Sequence, residues 1–256
     1  MGYKFLKIFD HSRLVHILLL GLSFIALIIS SFIYLLLNQE VDLSHLKTEL
    51  MQPTIIYDMD GEEASKISAN KTEGVSINQI PEHVIDAVIS IEDRRFYKHS
   101  GIDYIGIIRA AYENFTAGTV VQGGSTITQQ LAKITLLTPE QTLKRKLKEV
   151  SIASQIEREY SKDEIMEMYL NQIYFGHGAW GIQNASKVYF GKEIEKVNLS
   201  EAALLAGLIH APSVLDPYKN FESAKKRQEV VLAQMEHSGF ITNKERESAA
   251  EEERLR

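Results

Sequence analysis

Apolar and polar positions along the chain follow different periods in different stretches. Residues 14–37 hold no formally charged side chain, and the apolar run within them is long enough to cross a bilayer as a helix. A cleaved leader would have a shorter apolar core and a small-residue exit, and Asn38-Gln39-Glu40 does not supply one. Residues 54–57, Thr-Ile-Ile-Tyr, then lead into Asp60-Gly61, a short-range hairpin signal, with a weaker strand near 65–68. From Pro81 onward the apolar spacing turns helical and stays so.

Each helix carries start and stop signals. Pro81 suits a first helical position, and Val84, Ile85, Val88 and Ile89 recur at helical spacing up to the acidic pair Glu92-Asp93. Asp103 predicts a cap for a second helix that ends near Phe115, with Ile105, Ile108 and Tyr112 on one side. Residues 116–124 have no stable period and read as a mobile loop. Ser125 predicts the cap of a third helix with Ile127, Leu131 and Ile134 inward. Its other face, Thr126, Gln129, Gln130 and Lys133, looks like the lining of a polar site, because a solvated face tends to carry several Glu and Lys.

Residues 138–141, Thr-Pro-Glu-Gln, read as a capping box opening a long helix to about Tyr160, and residues 161–164 as another, with Ile165, Met168, Tyr169 and Ile173 inward. Gly176, Gly178 and Gly181 punctuate a turn around Trp180, which reads as core, and a helix to Tyr189 ends at Gly191. Ser200 is expected to cap an Ala- and Leu-rich helix closed by Pro212, Asn220 one that Gly239 ends, and residues 242–245 form a last capping box. The expectation is roughly eight helices in one compact domain.

Composition narrows the class. Of 256 residues 45% are hydrophobic and 24% charged, which allows a real core in one large domain or two small ones. The absence of cysteine excludes disulfides, thiolate metal sites and a cysteine nucleophile. A net charge of −6 argues against a nucleic-acid protein. Lys4, Lys7 and Arg13 precede the apolar run while Glu40 and Asp42 follow it, so the positive-inside rule puts the N-terminus in the cytoplasm and the rest outside.

Candidate chemistry gathers in a few stretches. Glu92 and Asp93 end a buried helix, where carboxylates are costly unless paired or used; pairing by Arg94 and Arg95 is one reading and a reactive acid the other. In residues 144–149 the basic side chains Lys144, Arg145, Lys146 and Lys148 cluster in an acidic chain, which reads as a solvated ion-pair surface with Glu149 or, with Lys133 and Arg109, as a seat for a phosphate or pyrophosphate. Glu92 and Glu149, in separate segments, are similar to the paired acids of glycosyl-transfer chemistry. His99 reads as structural.

Five stretches then resemble, in order and spacing, the motifs of the bacterial peptidoglycan glycosyltransferases, the transglycosylase domains of class A penicillin-binding proteins and of monofunctional transglycosylases. They are EDRRFYKHSG at 92–101, GGSTITQQLAK at 123–133, RKLKE at 145–149, KDEIMEMYLN at 162–171 and GIQNASKVYFGK at 181–192, within a resemblance covering about residues 75–220. Ile134 stands where the family usually has Asn, and Ser186 where it often has Ala. The resemblance implies a mainly α, lysozyme-like two-lobed helical domain, here preceded by a small N-terminal β-hairpin and one transmembrane helix. It further implies polymerisation of lipid II: the 4-hydroxyl of an acceptor attacks the anomeric carbon of a lipid-linked donor with inversion, and undecaprenyl pyrophosphate leaves.

On that resemblance Glu92 matches the general base, with Asp93 in a supporting role, and Lys133, Arg145 and Glu149 match the group handling the donor pyrophosphate, beside Lys146 of the basic cluster. Glu149 would act as a catalytic residue and as ligand of a divalent cation, Mg or Mn. Arg95 and Arg109 match further pyrophosphate or sugar contacts, Arg94 falls where the family varies, and Ser125, Thr126 and Gln130 match the cleft lining. The implied partners are lipid II, the nascent glycan strand, the cytoplasmic membrane and other cell-wall synthesis proteins, with moenomycin as an inhibitor of the donor side.

The expected organisation is a cytoplasmic tail at 1–13, a transmembrane helix at 14–37, a linker and hairpin at 38–74, the glycosyltransferase domain at 75–240 and a charged C-terminal helix at 241–256. A membrane-anchored lysozyme-like hydrolase is the competing enzyme, but it needs no cationic pyrophosphate site. An inert recruiting module is a second alternative, against which both Glu92 and Glu149 are present. Ser223-Ala-Lys-Lys226 has Ser-x-x-Lys spacing without the partner motifs of a transpeptidase, so the chain reads as monofunctional. The apolar set Ile102, Tyr104, Ile105, Ile107 and Ile108 exceeds one buried stripe and reads either as a surface dipping into the membrane interface or as a fully buried helix.

Overall fold

The computed structural model describes residues 11–37, 41–44, 46–51, 54–57, 59–60, 62–67, 74–119, 123–138, 140 and 142–252, with backbone alone at 11–15, 29, 32–33, 35–37, 49–51, 54–57 and 63–67. The flanking Lys4, Lys7 and Glu40, the turn Gly61, loop residues 120–122, and Pro139 and Gln141 of the expected capping box lie outside the described residues.

The fold is mainly helical. Helix α1, His11–Leu37, covers the uncharged run, and its described side chains, among them Leu20, Phe24 and Leu27, are exposed. Among the described residues no helix is long and apolar enough to cross a membrane, so the expected anchor is not shown. A short α2, Leu46–Met51, precedes β1, Thr54–Tyr57, and β2, Glu63–Ile67, which pair antiparallel with Thr54 opposite Ile67 and an irregularity between Ile56 and Tyr57.

The helices that build the site are α3, Glu82–Glu92, α4, Tyr104–Ala117, α5, Ile127–Leu136, α6, Leu143–Glu159, and α7, Lys162–Gln172. They are followed by α8, Ile182–Phe190, α9, Leu199–Leu208, α10, Phe221–His237, and α11, Asn243–Glu251. Helix α5 packs on α6 and α7, while α3 packs on α9 and α10. The shared core includes Phe96, Ile127, Leu131, Ile156, Tyr169 and Tyr189, all fully buried.

Local signals set most helix starts, with shifts that have a physical cause. Ser161 and Thr242 head reciprocal capping boxes with Glu164 and Glu245, as their spacing predicts. At α5 the cap is Thr126 instead of Ser125, because the Thr126 hydroxyl accepts from Gln129 N while the Gln129 side chain answers. Asn198 replaces Ser200 as the cap of α9, and α6 begins after Thr142, later than the box at 138–141 would have it. Asp103 precedes α4 but makes no capping bond, its carboxylate being drawn to Arg95. Pro81 sits at the cap position of α3 and Asn220 at that of α10, neither with a side-chain capping bond.

Of the two readings of the α4 apolar set, the fully buried helix is overturned: Ile105, Ile108 and Tyr112 are 54%, 70% and 69% exposed, and only Gly106 and Ala110 of α4 are buried. Helix α4 has no extensively packed helical partner among the described residues, so its large apolar side chains have nothing to bury against. Two residues expected inside are exposed: Ile134 of α5 at 40%, beyond the reach of the core that covers Ile127 and Leu131, and Trp180 at 45%. Behind the site, Gly176 holds φ +89°, and a Cβ there would come within 2.6 Å of the Pro212 carbonyl oxygen, so only glycine admits this crossing.

Candidate active site

Glu92 is the last residue of α3, and its carboxylate meets α5 from the side. The Gln130 amide nitrogen donates to Glu92 Oε2 at 2.7 Å, and the buried Tyr169 hydroxyl donates in turn to Gln130 Oε1 at 3.1 Å. Tyr169 thereby fixes which end of the Gln130 amide faces Glu92. Burial pushes the Glu92 carboxyl above the usual carboxylate range, offset by the Gln130 bond and by Arg227, His210 and Lys133. Tyr169 is held well above an ordinary phenol, first by burial and then by Glu92 and Asp93.

Asp93 is the supporting member of the acidic pair. One of its oxygens accepts from Ile127 N at 3.1 Å, at the start of α5, and both are within 3.0 Å of His99 Nε2. His99 is thus structural in its contacts, and Asp93 ties the end of α3 to the start of α5.

The two neighbouring arginines part company. Arg95 Nε lies 3.2 Å from Asp103 Oδ1 and lines neither cavity beside Glu92. Arg94 lines both, with its guanidinium lowered by burial and by the charge of Arg109. A narrow pocket brings Glu92, Asp93, Arg94, Arg109, Ser125 and Thr126 together. The Thr126 hydroxyl is already committed, donating to the Gly101 carbonyl at 2.7 Å while capping α5.

A cavity of about 320 Å³ opens on Glu92, bounded by Gln130, Ser125, Arg94, Glu113, His210 and Arg227. A second, of about 830 Å³, is lined by Lys133, Arg145 and Lys146. Their linings touch near the start of α5, where Lys146 Nζ donates to Ser125 Oγ at 2.9 Å. Glu149, 2% exposed, accepts from Arg145 Nη1 at 3.2 Å and from Lys146 Nζ. The basic run is therefore not a plain solvated face: Arg145 and Lys146 close over a buried carboxylate and still border a cavity. Among the described residues no three His, Cys, Asp or Glu side chains gather to hold a metal.

Of the expected site residues, Glu92, Arg109, Ser125, Thr126 and Gln130 converge on the first cavity and its narrow annex; Lys133, Arg145 and Lys146 converge on the second, over Glu149; Arg95 stands apart. His210 and Arg227 were not expected. They reach Glu92 only because α9 and α10 pack on α3. The one sequence signal for Arg227 is Gly207 within the Ala- and Leu-rich α9, where a Cβ would stand 3.0 Å from Arg227 Cγ.

In a mainly helical domain, a half-buried carboxylate that burial holds above the usual range thus stands near a cavity lined by three cations. Residues 60–236 match the transglycosylase family, and the chain belongs to it. It is 50% identical over 198 residues to penicillin-binding protein 1A of Aquifex aeolicus (strain VF5), covering 77% of this chain and 27% of that protein. With penicillin-binding protein 1F of Bacillus subtilis (strain 168) it shares 44% over 229 residues, 90% of this chain and 32% of the other. The chain thus spans about a quarter to a third of the length of these curated relatives. A solved penicillin-binding protein 1A from Haemophilus influenzae aligns with a TM-score of 0.45 at 23% identity over 80% of this chain and 21% of that one.

Proposed function

We propose that this domain is a peptidoglycan glycosyltransferase that polymerises lipid II into glycan strands for cell-wall synthesis. The observation that carries the reading is the placement of Glu92 and of the Lys133, Arg145 and Lys146 cluster in two cavities whose linings touch near the start of α5. Membership of the transglycosylase family supports it.

In this reading Glu92 accepts the proton of the acceptor 4-hydroxyl. The freed oxygen bonds to the anomeric carbon of the donor from the opposite face, and the bond from that carbon to the pyrophosphate oxygen breaks with its electron pair leaving on the phosphate. Burial makes Glu92 a stronger base than a solvated carboxylate, and Gln130 orients it. Lys133, Arg145 and Lys146 meet the charge that develops on the leaving group, a task suited to preorganised cations in a partly dry site. Glu149 keeps Arg145 and Lys146 in place. A lone carboxylate already engaged by two cations does not fit a resident divalent metal.

Attachment to the cytoplasmic membrane, with the N-terminus inside and the domain outside, belongs to the same proposal, as do the lysozyme-like two-lobed architecture and binding to the nascent glycan strand. Its support is the uncharged run in α1 and the exposed Tyr104, Ile105, Ile108, Tyr112 and Phe115 of α4, an apolar surface suited to a membrane interface. The test is polymerisation of purified lipid II, read as glycan strands on a gel. The protein is expected to make them, moenomycin to block them, and Glu92→Gln to abolish them; strands made by that variant would remove Glu92 from its role.

A further inference from the structure

Arg227 is a cation beside the proposed base that the chemistry so far leaves idle. With Val230 and Gln234 it forms the face of α10 that bounds the cavity of about 320 Å³ on Glu92. Its guanidinium is pulled down by burial and held up by the charge of Glu92, and its Nε is buried without a hydrogen-bond partner among the described residues. An arginine kept for structure alone satisfies its fork of donors on carbonyls or carboxylates. Arg94, on the same cavity, is engaged in that way: its Nε donates to the Ser90 carbonyl at 3.3 Å, and Glu113 answers its charge.

Room for Arg227 is made in a neighbouring helix. Helix α10 packs on both α9 and α3, and a Cβ at Gly207 of α9 would stand 3.0 Å from Arg227 Cγ. Glycine is a poor helix former, so its place inside α9 answers to the passage of this stem. The other titratable groups around Glu92 are differently disposed. Asp93 holds His99 and the start of α5, Asp103 pairs with Arg95, and Arg109 lines the narrow annex. Lys133 lines the second cavity, Tyr169 donates to Gln130, and His210 is exposed. Of the three groups whose charge opposes the effect of burial on Glu92, Arg227 acts most strongly, ahead of His210 and Lys133.

An acceptor sugar that fills the cavity displaces water. Drying favours the neutral form of a carboxylate, which would leave Glu92 protonated before the hydroxyl arrives, and it strengthens the pull of a nearby cation. We propose that Arg227 is a positioning residue for the transfer step: from α10 it holds Glu92 charged as the acceptor displaces water, so that the carboxylate is ready to take the proton of the 4-hydroxyl. The proposal rests on the glycosyl-transfer reading and adds to it the group that keeps the base in its working form.

The test is the pH dependence of kcat for lipid II polymerisation by the full chain at saturating substrate, where the acid limb reports the base in the loaded site. Arg227→Met keeps a straight stem and removes the charge. It is expected to move that limb upward by about one pH unit, the low end of what a nearby opposite charge supplies, and Arg227→Lys to bring it most of the way back. Gly207→Ala crowds the stem and keeps the charge, and serves also where Arg227→Met does not fold. It is expected to move the limb in the parent and to leave it still in the Arg227→Met background. A limb that stays put in Arg227→Met and in Gly207→Ala, in protein that polymerises lipid II, overturns the inference and spares the function. A raised KM for lipid II with the limb in place assigns Arg227 to gripping substrate and overturns it as well. A parent that makes no strands sinks both.

Discussion

Gln130 donates its side-chain amide to Glu92 across 2.7 Å, and it can do so in one orientation only because Tyr169 donates to the other end of the same amide. A hydrogen bond to the charged form of an acid lowers its pKa, so this contact opposes the burial that raises Glu92. Gln130→Leu is therefore expected to raise the Glu92 carboxyl further and move the acid limb of polymerisation to higher pH. Tyr169→Phe should move it the same way by less. Initial rates on lipid II across the acid limb check this, and a limb that stays put in Gln130→Leu rules out Glu92 as the titrating base.

Glu92 should also tell on stability. Its folded carboxyl titrates above the ordinary range, so the folded state binds a proton that the unfolded chain has already released. Such a group costs stability above its folded pKa, and the cost vanishes below the ordinary carboxylate range. Glu92→Gln is expected to melt no lower than the parent at neutral pH, and any gain is expected to disappear in acid. Calorimetry at both pH values decides; a clear loss at neutral pH would mean that the charge is needed for the fold.

Glu149 has the opposite character. It is buried under Arg145 and Lys146, whose side chains remain 18% and 44% exposed. Removing one partner of a fully buried ion pair costs about 3–5 kcal/mol, and the residual exposure of both cations brings the expected loss for Glu149→Ala to about 2 kcal/mol. Urea unfolding measures it, and an unchanged midpoint would show that the carboxylate does not hold the start of α6.

Asp86 on α3 gives a stability signal outside the site. Burial and the neighbouring Glu82 push its carboxyl up to about 6, against a smaller opposing pull from His83. The linkage sign matches that of Glu92: the destabilisation is absent below the unfolded pKa, grows as pH rises toward about 6 and is complete above it. Asp86→Asn should raise the melting temperature at neutral pH and leave it unchanged in strong acid. A gain of equal size at both would point to packing instead.

Much of this was legible locally. The capping boxes at Ser161 and Thr242 form as spaced, because the bonds that make them lie within one turn of backbone. Caps went astray where neighbours compete, as with Ser125 and Thr126: either hydroxyl can cap a helix, and contacts from elsewhere assign them. Thr126 is taken by Gly101 and Gln129, and Ser125 is left for Lys146. On helix α4 the spacing put Ile105 and Ile108 on one face and left open whether that face is covered, since periodicity reports which side chains share a face and is silent on what packs against it.

By itself the sequence determined the helical class, the helix starts with unrivalled caps, and the acid and base types available near Glu92, since each depends on interactions over a few residues. Only the tertiary structure decided that Arg94 and not Arg95 faces the cavity, that Trp180 leaves the core, and that His210 and Arg227 reach Glu92 from more than a hundred positions away. Burial and charge act through space, and a carboxylate's basicity is set by whatever the packing of α3, α5 and α10 brings around it.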